Sequence, residues 1–146
     1  RVAVKDLFAE ELRLALPPGH PLTRKRIANL ADLQKERLIV MKEGHCLGDQ
    51  VLGFCERRDL KPNISFRSAQ LETVQALVCS GVGISLIPAM AARSEREDLP
   101  EYRSLAAPQP ERKIVAVWPR QRALSRAATE FLKLISSAKL GRKRAD

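Results

Sequence analysis

Residues 71–88 read LETVQALVCSGVGISLIP, and two hydrophobic periods meet inside them. From Leu71 to Ser80 the apolar positions Leu71, Val74, Leu77 and Val78 recur every three or four residues, which places them on one side of a helix. Gly81 follows where a helix needs a residue free to adopt the left-handed conformation, so it is expected to close the helix. Gly83-Ile84-Ser85-Leu86-Ile87-Pro88 is then short and apolar, the pattern of a buried strand.

The residues upstream repeat the same alternation. Ile64-Ser65-Phe66-Arg67 is expected as a strand, and Cys46 to Arg58 as a helix with Leu47, Val51, Phe54 and Cys55 on one face. Pro62 stops any continuation of that helix. Leu38-Ile39-Val40-Met41 is a buried strand running into the turn Lys42-Glu43-Gly44. Strand, helix, strand, helix, strand implies parallel pairing through right-handed crossovers, hence an α/β lobe with ligand chemistry at the carboxyl ends of its strands. Gly44-His45-Cys46 and Ala69-Gln70 both fall at such ends.

Further out, Ala28 to Lys35 is expected as a short helix capped by Asn29 or a neighbour, and Glu11 to Leu16 as a strand ended by Pro17-Pro18-Gly19-His20-Pro21. Downstream, Ile114 to Trp118 is expected as a strand. Ser125 to Ser136 is expected as an amphipathic helix carrying Ala128, Phe131, Leu132 and Ile135 inward. The tail after Leu140 is expected to be disordered.

With 45% hydrophobic residues in 146, the chain can bury a core of its own as one domain or two small lobes. No apolar run approaches the roughly 18 to 20 residues of a membrane span, and the start, Arg1-Val2-Ala3-Val4-Lys5-Asp6, lacks a signal-peptide layout. A cytoplasmic location is therefore expected, with no membrane partner. Lys and Arg number 26 against 17 Asp and Glu, a net charge of +9. Much of that excess sits in Arg24-Lys25-Arg26 and in Lys139 to Arg144, short runs of the kind usually found as solvated charge. No helix-turn-helix, zinc-finger spacing or aromatic-basic RNA motif accompanies them, so charge alone does not indicate a nucleic-acid binder.

Cys46, Cys55 and Cys79 make an odd count. That count argues against a disulfide scaffold, and no Cys-x-x-Cys or Cys/His quartet offers a zinc site. No metal, no cofactor and no enzymatic activity are expected. Cys79 reads as structural, and His20 as a turn residue. Gln70 and Thr73, at the start of a helix, offer donors to an anionic effector or water, or simply cap the helix.

Three segments now carry a resemblance: Leu14-Ala15-Leu16-Pro17-Pro18-Gly19-His20-Pro21-Leu22, then Leu30-Ala31-Asp32-Leu33, then Thr73 to Pro88. In that order and at those separations they resemble the sensing domains of LysR-type transcriptional regulators, over nearly the whole chain except its basic tail. The resemblance implies a periplasmic-binding-protein-like type II fold: a parallel sheet lobe with helices on both faces, part of a second lobe, and an effector cleft. By it, residues 20–110 make the second lobe, 1–19 and 111–138 belong to the first, and 139–146 form a basic tail. It also implies a homodimer or homotetramer formed through the regulatory domain. The family's winged helix-turn-helix, through which alone DNA contact is implied, has no counterpart here, and neither does the opening half of the first lobe, so the chain is expected to be truncated.

Within that family, Gly44-His45-Cys46-Leu47 with Asp49-Gln50 and Gly53-Phe54-Cys55 is similar to the sensing segment of the peroxide-responsive OxyR group. The likeness implies that Cys46 reacts with hydrogen peroxide and Cys55 resolves it as a Cys46–Cys55 disulfide. A thiolate is the attacking species, and the N-terminus of a helix favours one. His45, Asp49, Arg67, Gln70 and Thr73 are the expected effector-site residues around it. His45 either bonds the turn or tunes Cys46, and Arg67 offers positive charge. The group often carries a basic residue between Leu47 and Asp49; here Gly48 removes that charge and weakens the helix's first turn.

Nine residues along a helix amount to about 13.5 Å of rise and half a turn, whereas a disulfide needs Cα atoms within roughly 7 Å. Such a bond is therefore a switch that unwinds the helix. Cys55 also fits as a small core residue on the buried face. Two other readings remain open: a domain of the same fold binding a small organic anion as co-inducer, and a thiol peroxidase, for which no peroxidase-fold motif is seen.

Overall fold

A computed structural model describes residues 1–92 and 99–138 of the chain. They divide into two compact units, residues 11–110 and residues 1–10 with 111 onward.

The larger unit starts on β1 (Val2–Leu16), a strand that begins in the smaller unit and is far longer than the Glu11–Leu16 expected. Leu12, Leu14, Ala15 and Leu16 are its buried apolar residues. A 3₁₀ turn over Pro21–Arg24 follows, then β2 (Ile27–Ala28) and α1 (Leu30–Leu33). The α1 helix is shorter than expected because Ala28 is taken into β2 and Gln34 already caps the far end. Asn29 N–H donates to the Asp32 carboxylate at 2.9 Å, and Lys25 Nζ donates to the same group at 2.8 Å.

Next come β3 (Arg37–Met41), α2 (Cys46–Glu56), β4 (Asn63–Ser68), α3 (Leu71–Cys79) and β5 (Ser85–Pro88), the alternation read from the sequence. β3 and β4 are parallel, with a register shift at Leu38/Ile39. Their helices bury Leu47, Val51, Phe54 and Cys55 from α2, and Val74 and Val78 from α3. The end of α3 carries two reverse hydrogen bonds, Gly81 N–H to Val78 O at 2.9 Å and Val82 N–H to Leu77 O at 3.1 Å. They require φ of +76° at Gly81, a conformation that costs glycine little.

The third strand departs from an all-parallel lobe. Only Ile84 pairs with β3 in parallel, bridged to Leu38, while Ser85–Pro88 runs antiparallel to β1. A strand buried on both faces can hydrogen-bond to neighbours of either direction, and β1 offers Leu12 to Ala15 as partner. Ser85 Oγ donates to Ile39 O at 2.8 Å, joining the two strand systems beneath the surface.

β6 (Glu101–Leu105) was not expected. Its sequence, Glu-Tyr-Arg-Ser-Leu, lacks an apolar run, and pairing makes it a strand: antiparallel to β1 and parallel to β2, in the order β2-β6-β1-β5. Tyr102 is buried against α3, and its hydroxyl accepts from Gln75 Nε2 at 2.7 Å. That bond explains why Gln75, polar and unexpected in the core, is buried too.

The smaller unit pairs the first part of β1 with β7 (Glu111–Pro119) and adds α4 (Arg126–Ser137). Arg120 N–H reaches Arg1 O, Lys113 reaches Asp6 and Arg112 reaches Glu10, so the two strands run antiparallel. Glu10 is buried, and Arg112 Nε donates to its carboxylate at 2.6 Å. α4 corrects one expectation. Ala128, Leu132 and Ile135 are half-buried, but Phe131 is 61% exposed and no residue of the helix is fully buried. The first three fall within a narrow stripe, and Phe131 lies on its flank at about 100° per residue. The tail expected to be disordered lies outside the described residues.

Candidate thiol site at the start of α2

The site is built where β3 ends. Met41 is the last strand residue, and Lys42-Glu43-Gly44-His45 reverses the chain, closed by His45 N–H to Lys42 O at 3.1 Å. Gly44 has φ of +81°, the value this turn needs at its third residue and one that a side chain resists. Lys42 N–H donates to Ser68 O at 2.8 Å, so the carboxyl ends of β3 and β4 are tied together. Both helices that follow these strands therefore begin on the same edge.

His45 is the N-cap of α2: its Nδ1 accepts from Leu47 N–H at 3.3 Å. The side chain is thus engaged at the head of the helix. Cys46 is the first helical residue and exposed, in the turn whose amide groups have no partner within the helix. Asp49 is exposed in the first turn, where a carboxylate suits the helix dipole but opposes negative charge on a neighbouring sulfur. Arg67, exposed on β4, has Nη1 at 3.8 Å from Glu43 Oε1, so a carboxylate of the turn shares its charge.

Gln70 is the N-cap of α3 but makes no side-chain capping bond; its N–H is held by Ser68 Oγ at 3.2 Å. Thr73 Oγ1 donates to Gln70 Oε1 at 3.4 Å. These two side chains are thus engaged with each other at the head of α3.

Cys55 lies in the last turn of α2 and is buried. Burial pushes its thiol pKa up, since the low-polarity surroundings disfavour the thiolate. Its surroundings include a small apolar recess lined by Leu33, Leu38, Leu60 and Pro62. None of the three cysteines is in a disulfide, and Cys79 is half-buried near the end of α3. Because one continuous helix contains both Cys46 and Cys55, their Cα atoms are set about 13.5 Å apart along its axis.

Two residues of the segment have surroundings that the sequence reading did not assign them. Gln50, one turn after Cys46, has its Oε1 buried with no hydrogen-bond partner. Gly48 is buried directly on the end of β3. The four-residue spacing from Cys46 hinted at Gln50; nothing local in the sequence marked Gly48 as a contact. Among the described residues, no group of three or more His, Cys, Asp or Glu is placed to hold a metal ion, and no helix is long and apolar enough to cross a membrane.

Residues 1–139 match the family model of the LysR substrate binding domain. The chain belongs to that family. It is 38% identical over 113 residues to the DNA-binding transcriptional dual regulator OxyR of Escherichia coli K12, covering 77% of this chain and 37% of that protein. It is 38% identical over 122 residues to a probable hydrogen peroxide-inducible genes activator of Mycobacterium avium, covering 80% of this chain and 38% of the other.

Among solved structures, the reduced OxyR regulatory domain from Pseudomonas aeruginosa matches with a TM-score of 0.75 and 29% identity, over 92% of this chain and 66% of that one. A reduced OxyR from Neisseria meningitidis gives 0.81 at 23% identity, over 95% and 65%, a likeness of fold. The LysR substrate-binding domain fold is thus a mixed α/β sheet structure of the periplasmic-binding-protein-like type II class. The chain spans less than two fifths of the length of these two curated relatives.

Proposed function

We propose that this chain is the peroxide-sensing part of a LysR-type transcriptional regulator, with Cys46 as the reacting thiol and Cys55 as its resolver. The observation that carries the reading is the pairing of an exposed cysteine at the first position of α2 with a buried one nine residues on in the same helix. The Cys46 thiolate attacks one oxygen of hydrogen peroxide; the O–O bond breaks, hydroxide leaves, and Cys46 becomes a sulfenic acid. The Cys55 thiol then attacks that sulfur, the S–O bond breaks, and water departs as the disulfide forms. The product cannot fit a continuous helix, so the segment between the cysteines must unwind.

The raised pKa of Cys55 supports a division of labour, since a buried neutral thiol is a poor competitor for peroxide until the helix opens. Around Cys46, His45 holds the helix start, Arg67 supplies positive charge near the turn, and Asp49, Gln70 and Thr73 complete the polar rim. In this reading residues 20–110 form the lobe that senses. Residues 1–19 and 111–138 belong to the lobe through which the change is passed to a partner copy, and to DNA by a separate part of the regulator. The names of the relatives, hydrogen peroxide-inducible activators, support it.

Dilute hydrogen peroxide followed by alkylation and mass spectrometry tests the proposal. Cys46 should oxidise before Cys79, a Cys46–Cys55 crosslink should appear, and amide exchange across Leu47 to Phe54 should rise. Cys55→Ser should leave Cys46 at a higher oxidation state. Equal oxidation of all three cysteines, or a crosslink with unchanged exchange, overturns it.

A further inference from the structure

Two glycines lie between Cys46 and Cys55, and their surroundings differ. A Cβ at Gly48 would stand 2.6 Å from Met41 O, 3.2 Å from Met41 C and 3.3 Å from Lys42 O. All three are backbone atoms at the end of β3, and they cannot swing aside as a side chain does. A Cβ at Gly53 would meet only the tip of the Arg57 guanidinium at 3.2 Å, the free end of a flexible chain. Neither glycine has the positive φ that would itself demand glycine. Gly48 is therefore required by contact, whereas at Gly53 neither contact nor conformation requires glycine.

Each glycine makes α2 intrinsically weaker than alanine would, because it loses more backbone freedom on ordering. At Gly48 this weakness is the condition for close docking: the first turn of α2 lies on the β3 carbonyls at a distance no side chain permits. We infer that Gly48 and Gly53 set the dithiol–disulfide balance of the Cys46/Cys55 pair, by fixing how readily the helix between the two sulfurs gives way. The inference rests on the peroxide-sensing reading and deepens it. Peroxide supplies the oxidising equivalents as described, the disulfide product has α2 unwound, and the two glycines bias the reduced form in different ways.

The substitutions then have opposite signs. Gly48→Ala introduces a clash that exists only while α2 is docked, which disfavours the dithiol form and drives the balance toward disulfide. A shift of at least about tenfold is expected, equivalent to about 30 mV for a two-electron couple. Gly53→Ala strengthens the helix without a backbone clash and should move the balance toward dithiol by about threefold.

The experiment equilibrates the 146-residue chain and each variant in mixtures of reduced and oxidised dithiothreitol, quenches with acid, alkylates, and reads the disulfide fraction by mass spectrometry. Opposite displacements of the two midpoints support the inference; unmoved midpoints, or displacements of the same sign, overturn it while leaving the sensing reading intact. If wild type forms no Cys46–Cys55 disulfide at any poise, both fall together. Should Gly48→Ala fail to fold, Gly53→Ala decides alone: a midpoint unchanged or moved toward disulfide overturns the inference.

Discussion

At the scale of the residue, His45 shows how little separates a structural from a chemical role. Its Nδ1 satisfies Leu47 N–H, one of the amides that α2 leaves without an internal partner, and it does so beside the thiol of Cys46. His45→Ala should cost about 1 kcal/mol of stability, in the range of other lost N-caps, and speed amide exchange at Leu47. His45→Asn, which restores a capping acceptor, should recover most of both. Exchange mass spectrometry and urea unfolding read the two effects; an alanine variant indistinguishable from wild type refutes the capping role. The helix start at Cys46 was legible from Gly44-His45-Cys46 after an apolar strand, whereas the cap formed by the His45 side chain emerged only in the structure. The Gly48 contact was not, because its partner is a carbonyl seven residues back that only the fold brings near.

At the scale of the element, α1 is too short to stand on its own hydrogen bonds and relies on Asp32. The Lys25 ammonium, and with smaller effect the Asn29 N–H, hold the Asp32 carboxyl below its ordinary value of 3.8, against a partial opposing effect of burial. A carboxyl depressed in the folded state adds stability that is present above its unfolded pKa and lost as pH falls through the folded one. Asp32→Ala should therefore cost about 1 kcal/mol at neutral pH. The gap to wild type should close as pH drops below 3.8, as urea titrations across that range would show. A gap independent of pH would mean that the carboxylate charge plays no part. The same element marks a limit of sequence reading: the period suggested a helix from Ala28, but Ala28 hydrogen-bonds to β6, a strand whose own residues gave no strand signal.

At the scale of the whole chain, a net charge of +9 invites a nucleic-acid reading that the arrangement of charge does not support. Lys25, in the middle of one basic run, is paired with Asp32, and Arg67, Arg103, Arg112 and Lys113 each face a carboxylate. DNA binding by this chain should be weak and sequence-independent, with a dissociation constant on the order of 10⁻⁴ to 10⁻⁶ M at physiological salt that worsens steeply as salt rises. Fluorescence anisotropy over a salt series measures this. A sequence-specific footprint at physiological salt would contradict it.

The sequence by itself determined the alternation from Leu38 to Pro88, the helix that carries both Cys46 and Cys55, and the family. Those signals are periodic and local: apolar spacing, a glycine stop after α3, a proline after α2. The tertiary structure decided which strands are neighbours. It turned Ser85–Pro88 antiparallel onto β1, made a strand of Glu101–Leu105, buried Gln75 through the Tyr102 hydroxyl and left Phe131 exposed. Each of these depends on groups far apart in the chain, since a strand edge, a buried amide and the uncovered flank of a helix are defined by what comes to lie against them.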